Sequence, residues 1–345
     1  MAPNRGPDDV QQDEDSLVND VGNLSIDTAS RPTDEEVPPH LSHDPASNAK
    51  RSDPFQFGQR YLKDEDDVFE FNAWDHVTPD AEHYEFCEAQ YAKQRAAPVS
   101  SYDKNRFNSQ PEKWWDLFYK QKTSTFFKDR KWLVQEFPIL SDITKPDAGK
   151  KVLLEVGAGA GNTAFPVMRM NQNPHLQVVA ADFSKRAVET MRSAEDIEAK
   201  VGKVRAEQWD VTGEVLPEGL EEGICDIVVM IFIFSALTPA QWTNAVNNVH
   251  RLLRPGGYVL FRDYGRGDLA QVRFKAGRWM DENFYVRGDG TQVYFFEKDE
   301  LESIWGQDFN VLDLDVDRRL IVNRQRRIKM YRCWIQGRFQ KPEVT

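Results

Sequence analysis

Glycine occupies every second position from Gly157 to Gly161, directly after the apolar run Val152-Leu-Leu-Glu155-Val and directly before a helix-type stretch from Asn162. Few patterns restrict a chain this much. The apolar run reads as a strand, and a turn built of glycines tolerates positive φ and lets the backbone approach a ligand closely. Amides at the start of the following helix then face that ligand. A second apolar run, Val178-Val-Ala-Ala-Asp182, ends in an acid about 20 residues beyond the glycines, the spacing at which a nucleotide-binding fold brings a carboxylate to ribose hydroxyls. A dinucleotide fingerprint requires Gly-x-Gly-x-x-Gly to seat its pyrophosphate. The order here is Glu-x-Gly-x-Gly-x-Gly with Asn162 next, which disfavours a dinucleotide oxidoreductase.

Around this turn the chain alternates strand and helix signals. Strands are expected near 152–156, 178–182, 204–209, 226–233 and 257–262, and helices near 162–171, 184–194 and 239–253. A helix near 299–306 precedes an antiparallel pair near 311–322 and 327–337. Such alternation implies an α/β Rossmann-like fold, a mostly parallel seven-stranded sheet with helices on both faces. In the last pair, Leu312, Leu314 and Val316 alternate with aspartates, as in a strand with one buried face. Ligands of these sheets bind at the carboxyl ends of the strands. The candidates there are the glycines, Asp182 with Phe183, Asp210 with Val211, Ile231 to Ser235, and Arg262-Asp263-Tyr264-Gly265. Each has a plainer reading beside it: core packing for Ile231 and Phe232, a cap or turn for Asp210, and an ion pair with Arg262 for Asp263.

The chain divides by composition. Of 345 residues, 1–52 form an acidic, Pro- and Ser-rich tail expected to be disordered. Its small apolar island, Leu17 to Ile26, could dock a protein partner. Residues 53–148 interleave aromatics with polar residues and form an expected N-terminal helical layer. One helix is expected to open at Thr78-Pro79, with proline at its first position. Another is expected to open at the capping box Ser109-Gln-Pro-Glu112, and on it Trp115 and Tyr119 share a face. That layer either packs a core or covers a cofactor and offers Lys128 and Arg130 to phosphates. Residues 149–345 form the α/β domain.

The net charge of −12 argues against a nucleic-acid partner only until it is located. Residues 1–50 hold eleven acids against three bases, whereas Arg318–Lys341 holds nine bases and no acid. The local field decides binding. No run is long or apolar enough to span a membrane. Cys87, Cys225 and Cys333 have no metal-ligand spacing, so no metal is expected, and a cytoplasmic setting is.

The glycine turn resembles motif I of S-adenosylmethionine-dependent methyltransferases. Phe57-Gly-Gln-Arg60-Tyr, Asn72-Ala-Trp-Asp75, Trp115-Asp-Leu-Phe-Tyr119, Phe126-Phe-Lys-Asp-Arg130-Lys-Trp132, Asp182-Phe-Ser184, Arg262-Asp-Tyr-Gly265, Asn283 to Thr291, Val293-Tyr-Phe-Phe296, Val316-Asp-Arg-Arg319 and Met330 to Gln336 extend the likeness. Together they resemble the tRNA N3-methylcytidine methyltransferases, most closely the threonine-tRNA branch, from about Phe55 to Phe339. Ala158 departs from the Cys common in the family's turn, and the joint before Lys150 is short where some relatives carry an insertion.

The resemblance implies S-adenosylmethionine as cofactor and 3-methylcytidine at position 32 of the tRNA anticodon loop as product. It implies cofactor contacts from Trp115, Tyr119, Gly157, Gly159, Asp182, Asp210, Val211 and Ile231. Cytosine N3 carries an in-plane lone pair, so alignment matters more than a base, and a carboxylate near the ring would offset the developing positive charge. Asp263 is the candidate for that, with Tyr264 or Phe232 stacking on the cytosine. Lys128, Arg130, Arg262, Arg273, Lys275, Arg287, Arg318, Arg319 and Arg324 are candidates for the phosphates. A methyltransferase acting on a protein or small molecule and a nonenzymatic scaffold are the alternatives.

Overall fold

The computed structural model describes residues 60–122, 128–130 and 132–343. The acidic tail 1–52 with its apolar island, the string Phe55 to Gln59, and Phe126, Phe127 and Lys131 lie outside the described residues. The N-terminal layer contains β1 (Ala73–Asp75), α1 (Ala81–Ala96), α2 (Ser101–Ser109) and α3 (Pro111–Lys122), then short helical turns at Leu133–Glu136 and Ile139–Asp142. The α/β part runs β2 (Lys151–Val156), α4 (Ala164–Met170), β3 (Leu176–Asp182), α5 (Lys185–Arg192), β4 (Lys203–Gln208), β5 (Cys225–Ile231), α6 (Trp242–Leu252) and β6 (Leu253–Tyr264). After these come α7 (Leu269–Val272), β7 (Trp279–Asp281), β8 (Phe284–Val286), β9 (Gln292–Tyr294), α8 (Lys298–Trp305), β10 (Asn310–Asn323) and β11 (Ile328–Gln340).

The main sheet has the order β1-β10-β11-β6-β5-β2-β3-β4. β2 to β6 pair in parallel, while β11 runs antiparallel to β6 and β10 antiparallel to β11. β2 lies between β3 and β5, so the strand order reverses there, and the crevice outside its carboxyl end is where such sheets bind ligands. The sheet has two faces and each carries its own apolar core. Along β5, Val228 and Met230 enter one core while Ile227, Val229 and Ile231 enter the other, as the two-residue period of a strand buried on both sides requires. Among the described residues no helix is long and apolar enough to cross a membrane.

The expected seven strands are all present, and the N-terminal layer supplies an eighth, β1, whose Ala73 faces Ile321 of β10. Two helix starts differ from expectation. α1 begins after Pro79, because Asp80 serves as its N-cap and accepts from the His83 amide. Ser109 does not cap α3. It ends α2, where its hydroxyl donates to the Arg106 carbonyl, and α3 starts on Pro111 instead. The three-stranded sheet of β7, β8 and β9 escaped notice because three-residue strands are too short to show alternation. In β10 a register shift between Val311 and Asp313 leaves Leu312 45% exposed, which breaks the alternation expected there.

Arg262 knots the antiparallel end of this sheet together. Its side chain is buried, donates from Nη2 to Asp317 Oδ2 at 2.7 Å and from Nη1 to Gln336 Oε1 at 2.6 Å. Gln336 Nε2 in turn donates to Glu136 Oε2 at 3.3 Å, reaching the N-terminal layer. One guanidinium thus joins β6, β11 and β10. Removing one partner of a buried pair strands the other charge and costs about 3–5 kcal/mol. Asp317→Ala is expected near the low end of that range, since Gln336 still holds Arg262, and a denaturant midpoint measured beside the parent chain checks it.

Candidate active site

The carboxyl ends of β2, β3, β5 and β6 open into one cleft of about 1160 Å³. Its floor is the glycine turn. Gly157, Gly159 and Gly161 hold φ of 68°, 60° and 85°, the left-handed region that favours glycine. Space forbids side chains there as well: a Cβ on Gly157 would come within 2.7 Å of Ile233, and one on Gly159 within 2.5 Å of the Tyr119 hydroxyl oxygen.

Buried carboxylates hold this turn in place. Asp182, at the end of β3, accepts from the Gly159 amide at 2.9 Å through Oδ2 and from the Ser184 amide at 2.9 Å through Oδ1. Burial pushes its pKa up to about 6 against the pull of those two amides. Glu155, at the end of β2, accepts from the Ala164 amide at 2.9 Å and so ties down the start of α4. The guanidinium of Arg130 reaches the other oxygen of Glu155 at 3.3 Å and the Thr163 hydroxyl at 3.0 Å. Burial outweighs that cation and raises the Glu155 pKa to about 7.

α3 covers the turn from above. Trp115 and Tyr119 stack at 6.2 Å between ring centroids, and both line the cleft. The helix is fastened by Asp116, whose Oδ1 accepts from the Ser184 hydroxyl at 2.6 Å and from the Arg186 amide at 3.2 Å, at the start of α5. Asp210, Val211 and Ile231 line the same cleft. Asp210 also closes an Asx turn, accepting from the Thr212 amide at 2.8 Å.

The opposite wall is aromatic and cationic. Phe232 and Tyr264 meet at 4.9 Å. The Arg287 guanidinium lies 5.8 Å from the Tyr264 ring, and Arg262 lies 5.2 Å from Trp132 and 4.7 Å from Trp334. Arg332 stands over the other side of the wall, 4.7 Å from Trp334, held through Nε by Asp268 at 2.9 Å. Lys128, Arg287, Arg319 and Arg332 therefore border the cleft.

Several expected roles change on this geometry. Asp263 does not line the cleft: it is buried, and both of its oxygens accept backbone amides, from Ser235 at 2.9 Å and Tyr264 at 2.8 Å. Arg130, Arg262, Arg319 and Arg332 line the cleft but are committed to Glu155, Asp317, Asp75 and Asp268, so none of the four is a surface cation awaiting phosphate. Arg273, Lys275 and Arg324 lie outside the cleft lining, and Arg318 borders a separate cavity of about 370 Å³ beside α1. Trp334 and Asp116 also line the cleft, and the sequence reading attaches no role to either; Trp132 and Arg332 lie there too, within the aromatic-basic stretch and the basic run. The period-two order Arg332, Trp334, Gln336 in β11 was the available signal, since it puts all three on one face.

An adenosyl group fits these residues. A buried carboxylate stands where ribose hydroxyls can donate to it, apolar Val211 and Ile231 can flank a purine, and the glycines leave room that any side chain would fill. Gly159→Ala is expected to lose about 1–2 kcal/mol from its left-handed φ alone, plus a clash with the Tyr119 hydroxyl. Tyr119→Phe in the same chain should recover only the clash. Urea unfolding of the two variants separates these parts.

A family profile described as a methyltransferase domain matches residues 154–259, the stretch from within β2 into β6. The tRNA N(3)-methylcytidine methyltransferase trm140 of Schizosaccharomyces pombe is 47% identical over 285 residues, 83% of this chain and 92% of that protein. The tRNA N(3)-methylcytidine methyltransferase Mettl2 of Drosophila melanogaster is 45% identical over 296 residues, 85% of this chain and 90% of that one. The tRNA(Thr) (cytosine(32)-N(3))-methyltransferase of Saccharomyces cerevisiae is 47% identical over 300 residues, 86% of this chain and 48% of that protein, so the chain spans about half of its length. With S-adenosylmethionine as the methyl donor that this cleft fits, the chain belongs to the tRNA N(3)-methylcytidine methyltransferases.

Proposed function

We propose that the protein methylates N3 of cytosine 32 in the anticodon loop of threonine tRNA. What carries this reading is the meeting, in one cleft, of the glycine turn over Asp182 with the rings of Phe232 and Tyr264 and the cations Lys128 and Arg287. The Saccharomyces cerevisiae relative, named for that tRNA and that base, supports the choice of substrate.

Bound S-adenosylmethionine supplies a sulfonium-activated methyl group, which the in-plane lone pair of cytosine N3 can take with no proton to remove first. The protein therefore needs no strong general base, and its work is alignment, which can supply roughly 7–11 kcal/mol. Asp182 accepts the ribose hydroxyls, while Gly157 and Gly159 give the backbone its close approach. Val211 and Ile231, with Asp210 at the rim, hold the adenine. Trp115 and Tyr119 close over the donor and exclude water. N3 lies on the Watson–Crick edge, so the target must be unpaired or flipped, which costs least in a loop. Phe232 and Tyr264 offer that base a stacking surface, and Lys128 and Arg287 hold the phosphates beside it.

In this reading residues 53–148 cover the donor and share in RNA binding, residues 149–345 carry the donor site, and the acidic residues 1–52 engage a protein partner. The setting is cytoplasmic.

Incubation with labelled donor and an unmodified threonine tRNA transcript should yield 3-methylcytidine on nucleoside mass spectrometry, and a transcript with uridine at position 32 should yield none. Label in the second transcript, or none in the first, would sink the proposal. The Asp182 carboxyl titrates near pH 6, above the ordinary range, so it is ionised at pH 7.5 and largely protonated at pH 5. Ribose hydroxyls donate best to the carboxylate. Donor affinity should therefore fall about tenfold between pH 7.5 and pH 5, and Asp182→Asn should bind weakly with a flat profile in calorimetry.

A further inference from the structure

The segment after β5 is held in an unusual conformation. Phe232 has a φ of 59°, in the left-handed region that a bulky side chain rarely occupies. Its amide donates to the Arg262 carbonyl at 2.9 Å, and its ring lies 4.9 Å from that of Tyr264. The next residue, Ile233, presses on the glycine turn so closely that Gly157 has no room for a Cβ. Backbone strain of this kind persists only where the surroundings over-determine it.

The over-determining group is Asp263. Oδ2 takes the Ser235 amide at 2.9 Å on the far side of the strained turn, and Oδ1 takes the Tyr264 amide at 2.8 Å at the end of β6. One carboxylate thus bridges the segment carrying Phe232 to the residue against which Phe232 stacks. It is fully buried and lies outside the cleft lining, so it reaches the cleft only through Ser235 and Tyr264, which do line it. A role as proton acceptor is also needless, because cytosine N3 has no proton to give.

We infer that Asp263 is a positioning residue, which aligns the target base through Phe232 by clamping the Phe232–Ser235 turn to Tyr264. This rests on the methyl-transfer reading above. Asparagine at position 263 keeps the shape and one acceptor but turns an N–H toward an amide that needs an acceptor. Loss of the clamp frees Phe232 and its neighbour Ile233, but Asp182 still holds the Gly159 amide and Glu155 the Ala164 amide, so the donor should still bind while the base loses its alignment.

The test is a double-mutant cycle on the full chain with Asp263→Asn, Phe232→Ala and both together. The readouts are donor affinity by calorimetry, melting temperature, and kcat and KM for threonine tRNA. D263N is expected to bind donor within about twofold of the parent and to lose about tenfold or more in kcat. The double variant should be no slower than the slower single one. Losses that multiply in the double variant, a parental kcat in D263N, or a loss confined to donor binding would each overturn the inference. If D263N does not fold, Asp263→Glu keeps the charge and displaces the carboxylate by one methylene: a kcat loss at parental donor affinity supports the clamp, and unchanged kcat overturns it. Failure of the parent chain to methylate any tRNA would instead reject the substrate reading, before any variant is compared.

Discussion

Three buried carboxylates at the carboxyl ends of strands hold the functional end of this protein together. Glu155 takes the Ala164 amide, Asp182 takes those of Gly159 and Ser184, and Asp263 takes those of Ser235 and Tyr264. Loops that leave a parallel sheet carry amides with no strand partner, and an unpaired buried amide costs about as much as a lost hydrogen bond. An acid at the strand end solves this for one amide, as Glu155 does, or for two at once, as Asp182 and Asp263 do. The cost is its own desolvation, visible in pKa values near 7, 6 and 6 for the three groups. The amides they accept pull against that desolvation and favour the ionised form, which suits a site whose geometry matters more than its proton chemistry.

The same economy links the N-terminal layer to the glycine turn. Asp116 reaches across from α3 to the start of α5, directly after Asp182, while the Tyr119 hydroxyl fills the space over Gly159. The layer is also stitched to the far edge of the sheet through β1 and β10. It is bound at both ends of the structure, so the helix over the glycine turn and the strands bearing the basic residues share one framework.

Charge shows how far composition can mislead. The basic run from Arg318 to Lys341 reads as one patch, yet the fold divides it. Arg319 and Arg332 face the cleft, Arg318 faces a second cavity, Arg338 pairs with Asp313, and Lys341 donates to the carbonyls of His250 and Leu253. Alternation along β10 and β11 sends neighbouring cations to opposite faces. Arg130 and Arg262 were expected at the surface and instead bind Glu155 and Asp317, since a guanidinium near a buried acid is worth more there than in water.

The order of the main-sheet strands and their helices, the place of the cleft, and the glycine turn with Asp182 at its side were legible in the chain itself. They depend on local signals: apolar period, glycine tolerance of positive φ, and an acid at a fixed distance along the sequence. The pairing of Trp115 with Tyr119 belongs with them, because helical spacing alone puts the two on one face. What Asp263 touches, which acid each buried arginine pairs with, and how Phe232 comes to be strained were decided only when distant segments packed together. Ser235 lies 28 residues from Asp263, and Asp317 lies 55 from Arg262. No periodicity or propensity reports contacts across such separations, because they are made by the pairing of strands and the closure of loops rather than by neighbours along the chain.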